Sequence, residues 1–303
     1  MINSDIESRF SAFGQHCHIV IDSANVDGQA LLSAAEQEFR RIEQKFDPVN
    51  PQSITGQINQ RAGSGEFTPL DAESRSLLNY VQTLWKESSQ LFDPTSNLLL
   101  RHYGEKSRLP NTQAALKADL ALVGWSKLEL SDRGAHLTEP GMALDFNSCI
   151  RPYAVDCVRK QLLQAGVKNA LIDLNHDIAT IGKQSDGANW LVGMRYPNGH
   201  RTAIERFKLN NKGYAVRGDF ERSLEMNGER FSRSLSPVDG LPVLGLLGIA
   251  IVADTCLTAC SAASVASLKT EKNAMKWLQN LGLPWLAIDR ELNCHGPLLT
   301  RAF

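Results

Sequence analysis

Charge of one sign is missing from this sequence: 32 lysines and arginines face 33 aspartates and glutamates over 303 residues, with no block of either. A chain of formal charge -1 has no long-range pull on a polyanion or on acidic lipid, so nucleic acid is not an expected partner. Long apolar runs are missing too. The longest, Leu241 to Ala253 (LPVLGLLGIAIVA), falls short of the roughly 20 residues of a spanning helix and carries Pro and Gly. It reads as a buried strand, and no membrane span is expected. Six cysteines (Cys17, Cys149, Cys157, Cys256, Cys260, Cys294) show no CxxC or zinc spacing and sit in apolar contexts, so no disulfide framework is expected. The first residues, MINSDIESRFSAFGQ, lack the basic then apolar order of a secretory leader, and the expectation for the chain as given is a cytoplasmic protein. GxGxxG after a strand, GxxxxGK[ST] and GxSxG are all absent, which removes the usual support for dinucleotide, P-loop and serine-hydrolase readings.

What is present is a change of pattern along the chain. Gln29 to Phe46 has Leu31, Leu32, Ala35, Phe39, Ile42 and Phe46 at helical spacing, and Asp71 opens a second helix running to Leu91. His16 to Asp22 alternates as a strand. From Trp125 onward short strands dominate: Lys127 to Leu130, Ala135 to Leu137, Met142 to Phe146, Ala170 to Leu174, Ile178 to Gly182 and Trp190 to Arg195. Between them a helix is expected from Pro152 to Gln164, and two more close the chain at Asp254 to Leu268 and Glu271 to Leu281. Early helices followed by many strands indicate an α+β fold. With no linker or repeat, residues 1–303 are expected to form a single bilobed domain with mixed or antiparallel sheets flanked by helices.

Two places combine polar residues with an element boundary. Asp254 follows the apolar run and precedes a helix of small residues (ADTCLTACSAAS), with Thr258 four residues on. Either Asp254 caps the helix, or the pair is half of a Mg²⁺ site, since hard cations take few protein oxygens and complete their shell with phosphate and water. Leu144 to Asp156 (LDFNSCIRPYAVD) ends a strand at Asp145 and begins a helix near Arg151. Its N-terminal amides favour an anion; alternatively Asp145 and Asp156 are turn and surface carboxylates, one of them paired with Arg151. Turns at Asn175, His176, Asp177, at Val216 to Arg222 and at Phe231 to Gly240 are weaker candidates. His16 and His18 share a strand face without a third ligand.

In order, these segments resemble the ApbE family of FAD:protein FMN transferases over nearly the full chain. FDPVNPQSITGQIN (Phe46 to Asn59) keeps Phe46, Pro51, Ser53 and Asn59 of an early family loop, and FDPT at Phe92 to Thr95 is shared. The family's V-G falls at Val123 and Gly124, its LDLGGIAKGYAVD at LDFNSCIRPYAVD, and its L-V-N-x-GGD-I at LIDLNHDIA. ATSGDYER matches AVRGDFER from Ala215, YSHIIDPRTGxPV matches FSRSLSPVDGLPV from Phe231, and ADALATA matches ADTCLTA from Ala253. The resemblance implies Mg²⁺-assisted transfer of FMN from FAD to a Ser or Thr of an acceptor protein, with release of AMP. It places the metal on Ser148, Asp254 and Thr258 and the flavin nucleotide on Asp145, Ser148, Arg151, Asp177, Arg217 and Ser234; Arg233 stands where the family has its catalytic histidine, beside Asp254.

The departures share a direction. The family's Gly-Gly is Asn147 and Ser148, its Lys is Arg151 followed by Pro152, its GGD is Asn175, His176, Asp177, and Arg217 and Arg233 replace a serine and a histidine. Arginine forks suit phosphate. Three readings follow: an active flavin transferase, a non-catalytic flavin- or anion-binding homologue, and a scaffold whose site is closed by pairs such as Arg233 with Asp254.

Overall fold

A computed structural model describes residues 5–22, 27–103, 113–195, 203–218, 224–226, 229–231 and 234–299. In chain order its elements begin with β1 (Asp5–Ala12), β2 (Gln15–Asp22), α1 (Gly28–Phe46), α2 (Ile54–Gln60), α3 (Ala72–Glu87), α4 (Gln113–Leu120), β3 (Leu128–Ser131) and β4 (Gly134–Leu137). There follow α5 (Asn147–Gln164), β5 (Ala170–Leu174), β6 (Asp177–Ile181), β7 (Trp190–Arg195), β8 (Ala203–Leu209) and β9 (Gly213–Gly218). The last are β10 (Leu224–Met226), β11 (Glu229–Phe231), β12 (Gly248–Ala253), α6 (Cys256–Ser267), α7 (Glu271–Asn280), β13 (Trp285–Ile288) and β14 (Cys294–His295). Eight strands form one sheet in the order β1-β2-β5-β6-β9-β12-β13-β14, antiparallel at every pairing. This is the expected α+β arrangement.

Period-two alternation explains which strands read clearly in the sequence. In β2, Cys17, Ile19 and Ile21 are buried against Phe39 and Ile42 of α1 and Val155 and Val158 of α5, while the intervening residues are not fully covered. In β12 both faces are covered: Ile249, Ile251 and Ala253 pack with α6 and α7, and Ala250 and Val252 pack with Phe207 and Tyr214 beneath the β7–β8 ribbon. A strand sandwiched in this way has no polar face to show.

Several expected boundaries shift. Only Gly248–Ala253 of the long apolar run is strand; Pro242 has no N–H for a ladder and makes an isolated bridge to Leu235. Met142 to Phe146 is not a strand, because the backbone N–H and C=O of Leu144 bond the side chain of Asn59 (2.7 and 3.0 Å) instead of a neighbouring chain. The second helix ends at Glu87, where Ser89 and Gln90 turn left-handed. Most consequential for the site, α5 starts at Asn147, five residues before Pro152, so the proline lies inside the helix. Among the described residues no helix is long and apolar enough to cross a membrane. All six cysteines are described, and no disulfide joins them.

Candidate functional site

Three backbone segments converge above the sheet at the start of α5. The first is the FDPT loop. Asp93 is buried, and its carboxylate accepts hydrogen bonds from Thr95 N (2.9 Å), Thr95 Oγ1 (2.6 Å) and Trp125 N (2.7 Å). Thr95 Oγ1 also accepts from Gly124 N at 2.7 Å, so the FDPT and Val123-Gly124 blocks lock each other. Pro94 then offers its carbonyl to Asp145 N at 3.0 Å. The second segment is the one Asn59 holds by Leu144. Asp145 ends it and turns the chain into α5 by accepting from Asn147 N at 2.8 Å. Ser148 and Arg151 follow, one helical turn apart.

The third segment is the hairpin that carries Asp177. Asn175 (φ 50°) and His176 (φ 72°), which stand where the resemblance has two glycines, both take the left-handed backbone. Asp177, 1% exposed, opens β6 opposite Ala215 of β9. Arg217 lies two residues beyond Ala215 and so on the same face. Its guanidinium spans the Asp177 carboxylate, Nη1 to Oδ1 at 2.9 Å and Nη2 to Oδ2 at 3.2 Å, and Nη1 donates to the Val216 carbonyl at 2.7 Å. Arg151 reaches the same carboxylate, Nε to Oδ2 at 3.9 Å, and Nε has no hydrogen-bond partner. Two guanidiniums thus share one buried carboxylate. Burial pulls the Arg217 pKa down, but the Asp177 charge outweighs it and holds the group above its ordinary range, so the cation is permanent.

Proline 152 shapes the opposite wall. In a regular helix its N–H would bond the Ser148 carbonyl; proline has none, and the carbonyl is left without its intrahelical partner. Cys260 Sγ of α6 donates to that carbonyl at 3.3 Å, and Arg217 Nη2 donates to the same sulfur. Burial pushes the Cys260 thiol up to about 11, against the pull of Arg217, so it keeps its proton at neutral pH. Ser264 and Ser267 continue the Cys260 stripe along α6, and Ser234 Oγ donates to Ser267 Oγ at 3.1 Å. Asp145, Ser148, Arg151, Arg217, Ser234, Ser264 and Ser267 line a cavity of about 220 Å³ together with the FDPT loop. A second cavity, about 460 Å³, shares Leu91 and Leu268 with it and is walled by Lys269, Lys276 and Trp277.

Five of the sequence-derived residues (Asp145, Ser148, Arg151, Arg217 and Ser234) therefore meet at one cavity, with Asp177 beneath it. Asp254 and Thr258, on which the resemblance places the metal, do not line it. Asp254 is 88% exposed and pairs with Lys212 at 2.6 Å, which lowers its carboxyl pKa. Nor does it cap α6: Thr255 does, accepting from Thr258 N at 3.1 Å and donating to Thr258 Oγ1 at 2.8 Å. Asp156, expected at the surface, accepts instead from Cys256 N and Leu257 N at 2.9 and 2.8 Å and so supports the start of α6 from α5. Gly213 allows β9 to pass beneath that start; a Cβ there would lie 2.2 Å from Cys256 N. Arg233 lies outside the described residues. The sequence reading missed Cys260, Ser264 and Ser267, although their i, i+4, i+7 spacing marks one helix face.

The donor set does not fit Mg²⁺. A hard dication wants converging oxygens with carboxylates among them. Here Asp177 is held by two arginines, Asp93 by Thr95 and Trp125, and the Ser148 carbonyl by a thiol, while Asp145, at the mouth, accepts from Asn147 N and has no second carboxylate converging with it among the described residues. No three His, Cys, Asp or Glu side chains group as a metal site among the described residues. An anion fits better: two cations, hydroxyls and the N-terminal turn of an eighteen-residue helix face the space.

Comparison with known proteins identifies the family and the fold. Residues 13–286 match the sequence profile of the ApbE family. The FAD:protein FMN transferase of Haemophilus influenzae is 25% identical over 251 residues, covering 77% of this chain and 72% of that protein. The protein of the same name from Klebsiella pneumoniae is 28% identical over 236 residues, 75% and 71% of the two chains. Among solved structures, the ApbE protein of Thermotoga maritima superposes with a TM-score of 0.87 at 24% identity, covering 96% of each chain. The flavin transferase ApbE of Vibrio cholerae gives 0.86 at 17% identity, over 98% and 97%. With the fold, the order of the blocks and the profile in agreement, this chain belongs to the ApbE family.

Proposed function

We propose that the protein transfers FMN from FAD to a serine or threonine hydroxyl of an acceptor protein and releases AMP. The observation that carries this reading is the Arg151–Asp177–Arg217 cluster under a cavity at the N-terminus of α5. A pyrophosphate presents its charge in the form that guanidiniums and helix amides bind. In the reaction the P–O bond between the FMN phosphorus and the bridging oxygen breaks, AMP takes that oxygen, a P–O ester forms with the acceptor, and the hydroxyl proton is released to solvent. Such a transfer asks the protein chiefly for positioning and for charge where the phosphoryl oxygens become more negative. Arg151 and Arg217 supply that charge, Asp145 and Ser148 offer hydrogen bonds to the nucleotide at the mouth, and the second cavity beside Trp277 gives an aromatic wall for a ring that the smaller space has no room for.

The test is to incubate the protein with FAD and a flavinylated-protein acceptor domain carrying its serine or threonine, following AMP by chromatography and covalent flavin by in-gel fluorescence. Stoichiometric AMP and fluorescent acceptor are expected. FAD binding with neither product would leave a flavin-binding protein and end the transferase reading.

A further inference from the structure

We infer that the Arg217 guanidinium takes the place of a divalent cation in this chain, so that FAD is held and FMN transferred without metal. The inference rests on the flavin reading above and on four features of the site. The Ser148 carbonyl, orphaned by Pro152, belongs to one of the three residues on which the resemblance places the metal. What stands there is Cys260, whose sulfur contacts both that carbonyl and Arg217 Nη2. Arg217 is fixed in that place from below by Asp177, across both carboxylate oxygens, and its two amino groups are occupied by Asp177, the Val216 carbonyl and Cys260. A guanidinium so bound acts as a stationary positive charge, the part a metal plays, while Arg151, whose buried Nε lies toward Asp177, is the second cation that lines the cavity.

The second feature is the ligand chemistry. The stripe that α6 presents is thiol, hydroxyl, hydroxyl (Cys260, Ser264, Ser267), with no carboxylate to hold Mg²⁺ against the repulsion of a neighbouring arginine. Third, the acid on which the resemblance places the metal, Asp254, faces solvent and pairs with Lys212. Fourth, the pair is built into the sheet: Asp177 and Arg217 sit on one face of adjacent strands, positioned by the Asp177–Ala215 register, so the charge is in place before any ligand arrives.

Protein dialysed against EDTA is titrated with FAD, following flavin fluorescence, and the titration is repeated with millimolar Mg²⁺; AMP release is measured under both conditions. Affinity and rate are expected to agree within twofold. A gain of tenfold or more on adding Mg²⁺ would assign the charge to a metal and overturn the inference while leaving the flavin reading intact. No FAD binding in either condition would remove the flavin reading, and the inference with it. The variant is the double substitution Asp177→Asn with Arg217→Gln, which removes both members of the buried pair so that neither is left charged alone. Folded protein, verified by its thermal transition, should bind FAD at least tenfold more weakly with or without Mg²⁺; wild-type affinity in that variant would also overturn the inference.

Discussion

Asp177 and Asp254 carry the same charge in opposite surroundings, and the difference decides what each can do. Asp254 is screened by water and held by one lysine, an arrangement that contributes little to stability. Asp254→Asn is expected to leave FAD affinity within twofold of wild type, measured by flavin fluorescence; a loss of tenfold would return this residue to the site. Asp177 is the counter-ion of two arginines in a covered place. Replacing it with Ala strands buried cations, and urea unfolding should report a loss of about 3 to 5 kcal/mol. The sequence marked both acids, but not their surroundings. Spacing of i, i+4 shows that two side chains share a helix face; it says nothing of which face meets the cavity. That phase is set by the Thr255 cap and by Asp156 beneath it, and it turns Cys260, Ser264 and Ser267 inward.

At the scale of elements, the hairpin turn before Asp177 holds a histidine in the left-handed region, which for an L-residue costs roughly 1 to 2 kcal/mol. His176→Gly is expected to raise stability by about 1 kcal/mol in denaturant titration, without loss of FAD binding; a fall in stability would show that the side chain has a structural partner in its favour. A second element-level device joins α1, α3 and α5. Glu73 accepts from Arg41 (2.7 Å), Lys45 (2.5 Å) and Tyr153 (2.9 Å). The hydrogen bond from Arg41, above the opposing effect of burial, brings its carboxyl from 4.5 down to about 2. Because the folded state lowers this pKa, the network's stabilisation is complete above about pH 4.5 and lost as pH falls toward 2. Glu73→Gln should therefore lower stability at pH 7 by on the order of 2 kcal/mol and flatten the acid limb of the stability curve between those values. Helices α1 and α3 were legible because their apolar residues recur every three to four positions over many turns. β1 was not: Ile6 and Phe10 are only partly buried at the sheet edge, and the alternation is correspondingly faint. The strand expected at Met142 to Phe146 failed because a distant side chain, Asn59, does the work of a neighbouring strand, and local pattern carries no trace of that.

For the whole molecule, the order of the blocks was readable and their convergence was not. Loops far apart in sequence (Asn59, the FDPT turn, Val123-Gly124, Asp145 and the Asp177 hairpin) meet because one antiparallel sheet gathers strands from both ends of the chain and places α5 and α6 side by side above it. The retained residues of the early blocks mostly build: Asn59 holds Leu144, Ser53 caps α2, and Asp93 and Thr95 bind Trp125 and Gly124. Of the replaced residues, Ser148, Arg151 and Arg217 line the cavity beside the retained Asp93, Pro94 and Asp145, so a retained framework carries a differently charged site. That the cavity above Asp177 receives a pyrophosphate is the claim on which the rest depends. The measurement that meets it most directly is a crystal structure of the protein soaked with FAD and Mg²⁺. The pyrophosphate should lie on Arg151 and over Arg217, with Arg217 still paired to Asp177 and no metal between them. A pyrophosphate bound instead through Mg²⁺ at Asp254 and Thr258, with the cavity above Asp177 empty, would contradict the account.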